Sequence, residues 1–233
     1  MKEGIAGKAI YRKDYKAYPW DVEHLDLHFD IGMETTSVRA RMSFRQKENN
    51  DIAQNIVLNG SELELLSISL NGRKLTTKDY LVEGEELTIF AAPSSSIIET
   101  EVRIHPSANS AFEGLYLSGD FLLTQCEAQG FRKITWFPDR PDVMTTYKVT
   151  LEADKSDFPV LLSNGNRTDV GESADGRHWA CWQDPFPKPS YLFALVAGDL
   201  ALVEDRFHTR SGREVALKIY VEAENIDRCG HAM

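Results

Sequence analysis

The sequence predicts a mostly β protein, a large sandwich or saddle of antiparallel strands. Three observations carry this reading. Apolar residues recur with a period of two along much of the 233-residue chain. Gly, Asn, Asp and Pro clusters punctuate the runs at short intervals. No helical stripe of useful length occurs before the C-terminal end.

Taken in order, Leu25, Leu27, Phe29 and Ile31 alternate with His24, Asp26, His28 and Asp30, the pattern of a strand with one buried and one solvated face. Val38, Ala40, Met42 and Phe44 alternate with Arg39, Arg41, Ser43 and Arg45, and the short Met33–Thr36 turn makes the two runs a hairpin. Ile56–Leu58 ends at Asn59-Gly60; Leu66, Ile68 and Leu70 lead to Asn71-Gly72, with Lys74–Leu75 beyond. Asn-Gly between such runs signals a hairpin, because both residues tolerate positive φ. Leu87, Ile89 and Ala91 follow Glu83-Gly84, Ser94–Ser96 reads as a loop, and Ile98, Thr100, Val102 and Ile104 close at His105-Pro106. Strand-like runs continue through Tyr147–Ala153, Val160–Ser163, Trp179–Gln183, Tyr191–Ala197, Leu200–Arg206 and Glu214–Val221. Glu224–Met233 begins like a helix and stops. An isolated turn does not repay its nucleation cost, so the expectation is a cut through a longer chain.

Composition narrows the function classes. The chain is 42% hydrophobic and 27% charged with a net charge of −10. An acidic balance argues against nucleic acid and against an anionic membrane surface as partners. The longest apolar stretch, Tyr191–Val203, is interrupted by Gly198-Asp199 and falls short of a span. The first residues lack a continuous apolar core and do not read as a signal peptide. Three widely spaced cysteines, Cys126, Cys181 and Cys229, form no disulfide framework. Together these features favour the cytoplasm.

Metal and nucleophile motifs are sparse. None of the six histidines is followed by Glu, so H-E-x-x-H is absent. His24 and His28 share an outward strand face with Asp26, which reads as a solvated face before it reads as a metal site. Cys126 has no sequence-assignable base and reads as a small buried hydrophobe, although a cysteine hydrolase stays conceivable. What stands out is polar density: Gln125, Glu127, Gln129 and Arg132 crowd one stretch between Leu122-Leu123 and Ile134–Phe137. On a strand the first three would share one face, suited to capturing a small cation through charge-assisted hydrogen bonds. An internal salt bridge from Glu127 to Arg132 or Arg140 is the plain alternative. Trp136–Asp142 reads as a rigid aromatic turn, since each Pro fixes φ.

These residues carry a resemblance. YRKDY (Tyr11–Tyr15), NSAFEGLYLSGD (Asn109–Asp120), TQCEAQGFRKITWFPDRPDV (Thr124–Val143), LLSNGN (Leu161–Asn166), WQDPFPKPSYLFALVAGD (Trp182–Asp199) and TRSGREVAL (Thr209–Leu217) resemble the N-terminal part of the M1 family of zinc aminopeptidases, of the bacterial aminopeptidase N type. The resemblance implies an N-terminal β-saddle or sandwich domain over residues 1–199. Residues 200–233 would then begin a thermolysin-like catalytic domain, with Thr209–Val221 as its first strands and Asn225–Met233 opening its first helix. It further implies that Gln125 and Glu127 bind the free α-amino group of a peptide substrate.

The family's zinc motif, its G-A-M-E-N segment and its catalytic Tyr have no counterpart in these residues. Zinc is therefore expected in a full-length parent and not on this chain, which alone is expected to be inactive. The expected partners are a peptide with a free N-terminus and the catalytic domain of the same protein. Loss of that domain is expected to bare apolar surface near Gln125–Phe137 and around Tyr191–Val203. A reading from another class is a free-standing β-sandwich interaction module without catalysis.

Overall fold

The computed structural model describes residues 11–47 and 52–233; the leader reading over the first ten residues lies outside them. The strands are β1 (Trp20–Ile31), β2 (Thr36–Gln46), β3 (Gln54–Asn59), β4 (Glu64–Leu70), β5 (Arg73–Lys74), β6 (Tyr80–Glu83), β7 (Glu86–Ala92), β8 (Ser95–Ile104), β9 (Gly114–Ser118) and β10 (Phe121–Gln125). Then come β11 (Thr145–Asp154), β12 (Val160–Ser163), β13 (Asn166–Glu172), β14 (Arg177–Lys188), β15 (Leu195–Gly198), β16 (Ala201–His208) and β17 (Glu214–Val221). The mostly β fold class holds, and the helical segments among the described residues are 3₁₀ turns.

An eight-stranded sheet in the order β13-β14-β11-β1-β2-β8-β4-β5 forms the platform. All its pairings are antiparallel except β1 with β11, which run parallel with Leu25 opposite Tyr147. Its apolar face carries Leu25, Leu27 and Phe29 of β1, Val38, Ala40 and Met42 of β2, Ile98 and Val102 of β8, and Val149 and Leu151 of β11, all essentially inaccessible. A three-stranded sheet (β3-β7-β6) and a four-stranded sheet (β12-β15-β10-β9) contribute Ile56, Leu58, Leu87, Leu122 and Leu195 to the same core. Alternation along the strands is thus what builds the sandwich, each buried side chain stabilising it by about 1.5–3 kcal/mol.

Departures from strict alternation have local causes. A bulge between Val22 and His24 shifts the phase, so Trp20 and Val22 are buried ahead of Leu25. A bulge between Leu65 and Ser67 puts Leu66 outside. Ala91 adopts a positive φ of 50° and faces solvent, and Ala92 takes the core position expected of it. Ser95 and Ser96 start β8 instead of forming a loop, with the Ser96 hydroxyl donating to Pro93 O at 2.8 Å. The polar strand β13, exposed nearly throughout, has no alternation to announce it.

The two Asn-Gly pairs diverge. Asn71-Gly72, both at positive φ, make the β4–β5 hairpin turn. Asn59-Gly60 makes no hairpin: β3 pairs with β7, and Asn59 bridges to Phe137. Glycine is needed at 60 for close approach, since a Cβ there would lie 2.4 Å from Trp136 Cε3. The apolar surface is also redistributed. Phe131, Ile134, Trp136 and Phe137 are buried, and the large exposed apolar side chains include Phe112, Met144, Phe186 and Leu192, with Leu202 and Phe207 on β16.

The face of the platform away from the core is a charged lattice. His28 Nε2 lies 3.2 Å from Glu152 Oε2, Arg41 approaches both Asp26 (3.9 Å) and Glu99 (3.7 Å), and Arg177 pairs with Asp30 and Glu152. His24 Nε2 sits 3.2 Å from Asp26.

Candidate functional site

The polar stretch begins on β10, and the strand stops at Gln125. Gln125, Glu127 and Gln129 do not share a strand face. The Gly130 N–H donates back to Cys126 O at 2.9 Å, and that closure curls residues 126–130 into a turn. Cys126 points inward and is buried, while Gln125, Glu127, Ala128 and Gln129 are exposed. The Glu127–Ala128 peptide is cis. The structure brings Gln125 and Glu127 together at one tip, where Gln125 Nε2 donates to the Glu127 backbone O at 3.2 Å.

The base of the turn is packed backbone. Gly114 of β9 pairs with Gln125 and has φ +74°, a conformation that glycine adopts without a steric penalty. A Cβ on Gly130 would sit 2.4 Å from Gln125 O, 2.9 Å from Gly114 N and 3.1 Å from Cys126 Cα. Phe131 follows, fully buried, with its ring edge-on to Phe137 and Phe193 at centroid distances of 5.2 Å each.

Beneath the turn lies a buried carboxylate. Asp139 is 1% exposed. Its Oδ2 accepts from Arg132 N at 3.1 Å and from Arg132 Nε at 3.2 Å, and its Oδ1 accepts from Ser190 Oγ at 2.6 Å. The Asp139 N–H donates to Asn59 Oδ1 at 3.2 Å. The second guanidinium, Arg140, grips Asp142 through Nε and Nη2, each at 2.8 Å, and donates to Lys16 O at 2.7 Å. Arg132 also reaches Glu85 at 3.5 Å. Neither arginine pairs with Glu127, which has no ion-pair partner among the described residues. An exposed carboxylate beside a primary amide can accept hydrogen bonds from a small cation.

Other candidates behave differently. Burial pushes the Cys126 thiol well above its ordinary range, with the Asp139 charge adding to the effect, which is the wrong direction for a nucleophile. Among the described residues no three His, Cys, Asp or Glu side chains gather to hold a metal ion. Asp139, Asn59 and Ser190 escape sequence reading. The one available signal is an acid set amid the aromatic and proline residues of Trp136–Pro141, since such surroundings oblige a carboxylate to find buried donors.

Comparison with known proteins places the chain. The peptidase M1 N-terminal domain profile matches residues 21–192. Aminopeptidase N of Caulobacter vibrioides is 49% identical over 97% of this chain and 26% of its own length. The solved structure of Legionella pneumophila aminopeptidase A in complex with aspartic acid superposes with a TM-score of 0.89 at 35% identity, covering 94% of this chain and 26% of that one. An M1 zinc metallopeptidase from Deinococcus radiodurans shares the fold, with a TM-score of 0.74 at 17% identity over 88% of this chain and 48% of its own. The chain spans about a quarter of the length of the curated relative it matches. The profile match across most of the β platform, together with the superposition of the turn-bearing fold, makes this chain a member of the peptidase M1 N-terminal domain family.

Proposed function

We propose that this chain is the N-terminal part of a cytoplasmic, zinc-dependent aminopeptidase, and that Gln125 and Glu127 anchor the α-amino group of the peptide substrate. In this reading residues 1–199 form the β domain and residues 200–233 open the catalytic domain. The observation that carries it is the exposed Glu127 carboxylate, which has no ion-pair partner among the described residues, while the arginines nearest it in sequence, Arg132 and Arg140, are held by Asp139 and Asp142. A protonated amine offers that carboxylate charge-assisted hydrogen bonds that a blocked N-terminus cannot. Discrimination by such polar complementarity is large when the unmatched group is left unsatisfied.

Zinc would supply metal-assisted hydrolysis in the parent. In this reading this chain's part is substrate binding and orientation through Gln125 and Glu127. The test uses the intact protein that carries this chain. Glu127→Ala lowers kcat/KM for a free-amine aminoacyl substrate by about a hundredfold, on the scale of a lost charge-assisted hydrogen bond (~1.5–3 kcal/mol) plus misorientation. An unchanged kcat/KM refutes the assignment. The 233-residue chain with added zinc turns over no such substrate; turnover abolished by a chelator would place the metal site within it and overturn the reading.

A further inference from the structure

We infer that Asp139 is a positioning residue that aims the Gln125–Glu127 tip, an assignment that rests on the amine-anchor reading above. The tip is held through its backbone closure and the buried Cys126, not through its exposed side chains. Its other residues are exposed, and its internal side-chain bond is the 3.2 Å contact from Gln125 Nε2 to the Glu127 backbone. Its direction is set at its two stems: the end of β10 with buried Cys126 on one side, and on the other the passage from Gly130 through Phe131 to Arg132, which is the side Asp139 grips.

Arg132 is fixed at both its ends. Its backbone N–H and its Nε both donate to one carboxylate oxygen of Asp139, and its Nη2 donates to the Asp139 carbonyl at 3.3 Å. Its carbonyl accepts from Ser61 N at 2.9 Å. Asp139 is itself pinned from two other directions, by Ser190 Oγ at 2.6 Å and by Asn59 Oδ1 at 3.2 Å. One buried acid thus ties the base of the turn to the end of β3 and to the segment that leads into β15. A carboxylate with this many donors, 1% exposed, is a rigid post. Asn in its place keeps the volume but loses the charge and an acceptor, leaving the Arg132 guanidinium with Glu85 at 3.5 Å as its counter-ion. The turn is then free to shift, and small misplacements of a binding group are costly.

The experiment is a double-mutant cycle in the intact protein, with an aminoacyl chromogenic substrate and a desamino dipeptide analogue as competitive inhibitor. Asp139→Asn raises KM about tenfold, on the scale of a lost charge-assisted hydrogen bond, while the inhibition constant of the desamino analogue stays within about twofold. In a Gln125→Ala/Glu127→Ala background the same change raises KM by less than about twofold, because nothing remains to be aimed. A tenfold penalty that persists in that background, or equal weakening of the desamino analogue, overturns the positioning role and leaves the amine anchor standing. If Gln125→Ala/Glu127→Ala itself leaves KM unchanged, the amine-anchor reading fails and the positioning role with it. Should Asp139→Asn not fold, Ser190→Ala carries the cycle: it removes one donor from the same carboxylate, and a threefold rise in KM that vanishes in the double-alanine background is expected, on the scale of one hydrogen bond. No rise with Ser190→Ala refutes the inference.

Discussion

Replacing Gly130 with alanine tests whether the exposed tip is held by contact of bare backbone. The φ of Gly130 is −79°, so the change meets no conformational penalty of the left-handed kind. What it meets is matter: a methyl carbon 2.4 Å from Gln125 O, 2.9 Å from Gly114 N and 3.1 Å from Cys126 Cα. Ordinary van der Waals contact needs about 3.5 Å, so the nearest overlap is roughly 1 Å and all three neighbours are backbone. No side chain can swing away, and either the β9–β10 end or the turn must move. Overpacking of this kind costs about 1–3 kcal/mol, which for a chain of this size lowers Tm by roughly 2–12 °C. Thermal unfolding followed by circular dichroism measures it, with Gly230→Ala as the control because nothing lies within 4 Å of that position. In the intact protein the same change weakens free-amine substrates by about a hundredfold in kcat/KM, since the anchor is displaced by about 1 Å. A Gly130→Ala protein that melts with the wild type and keeps its kcat/KM would refute the account of the turn's base.

Two other predictions follow from buried and paired groups. Iodoacetamide at pH 8 leaves Cys126 unmodified in the folded chain and modifies it in urea, because burial both shields the thiol and raises its pKa; rapid native labelling read by mass spectrometry would contradict this and revive a cysteine chemistry. Asp142 is held well below the usual carboxylate range, first by the Arg140 hydrogen bonds and then by the Tyr15 hydroxyl and Tyr18 N–H. A depressed folded pKa gives stability that is present above the unfolded value near 4 and is lost as pH falls further. Asp142→Asn is therefore about 1–3 kcal/mol less stable than wild type near pH 6, a gap that narrows as pH drops from about 5 to 2.5. Urea midpoints across that range decide it, and a gap that widens on acidification reverses the sign and the argument.

The platform was legible in the sequence because a strand with one buried face must alternate: β2, β8 and β11 do so residue by residue, and β1 does so on either side of its bulge. Two kinds of feature were not. Strand β13 earns its place by hydrogen bonding to β14 while burying little, so its polar sequence carries no hydrophobic signal. Asn59-Gly60 carries the hairpin signature yet serves a long-range contact with Trp136 and Phe137, a demand that local sequence does not encode. The candidate site was half legible. Gln125 and Glu127 stand out as polar density, but extrapolating the period of two past Gln125 missed the Gly130–Cys126 closure that ends the strand there and sets Glu127 on a turn. The supports at Asn59, Asp139 and Ser190 are spread across the chain and meet only in the folded state.

Three acids of this region, Glu127, Asp139 and Asp142, show how one segment sorts like charges into different tasks. Arg132 lies a few residues past Glu127 and is only 15% exposed at its side chain, so it needs a counter-charge close by. Asp139 supplies it from within, at 3.2 Å with backbone and hydroxyl donors sharing the load. The guanidinium is satisfied there, and the exposed Glu127 carboxylate has no ion-pair partner among the described residues. Asp142 does the same for Arg140. Each internal pairing thus keeps its own arginine engaged, and the exposed carboxylate at 127 is drawn into neither.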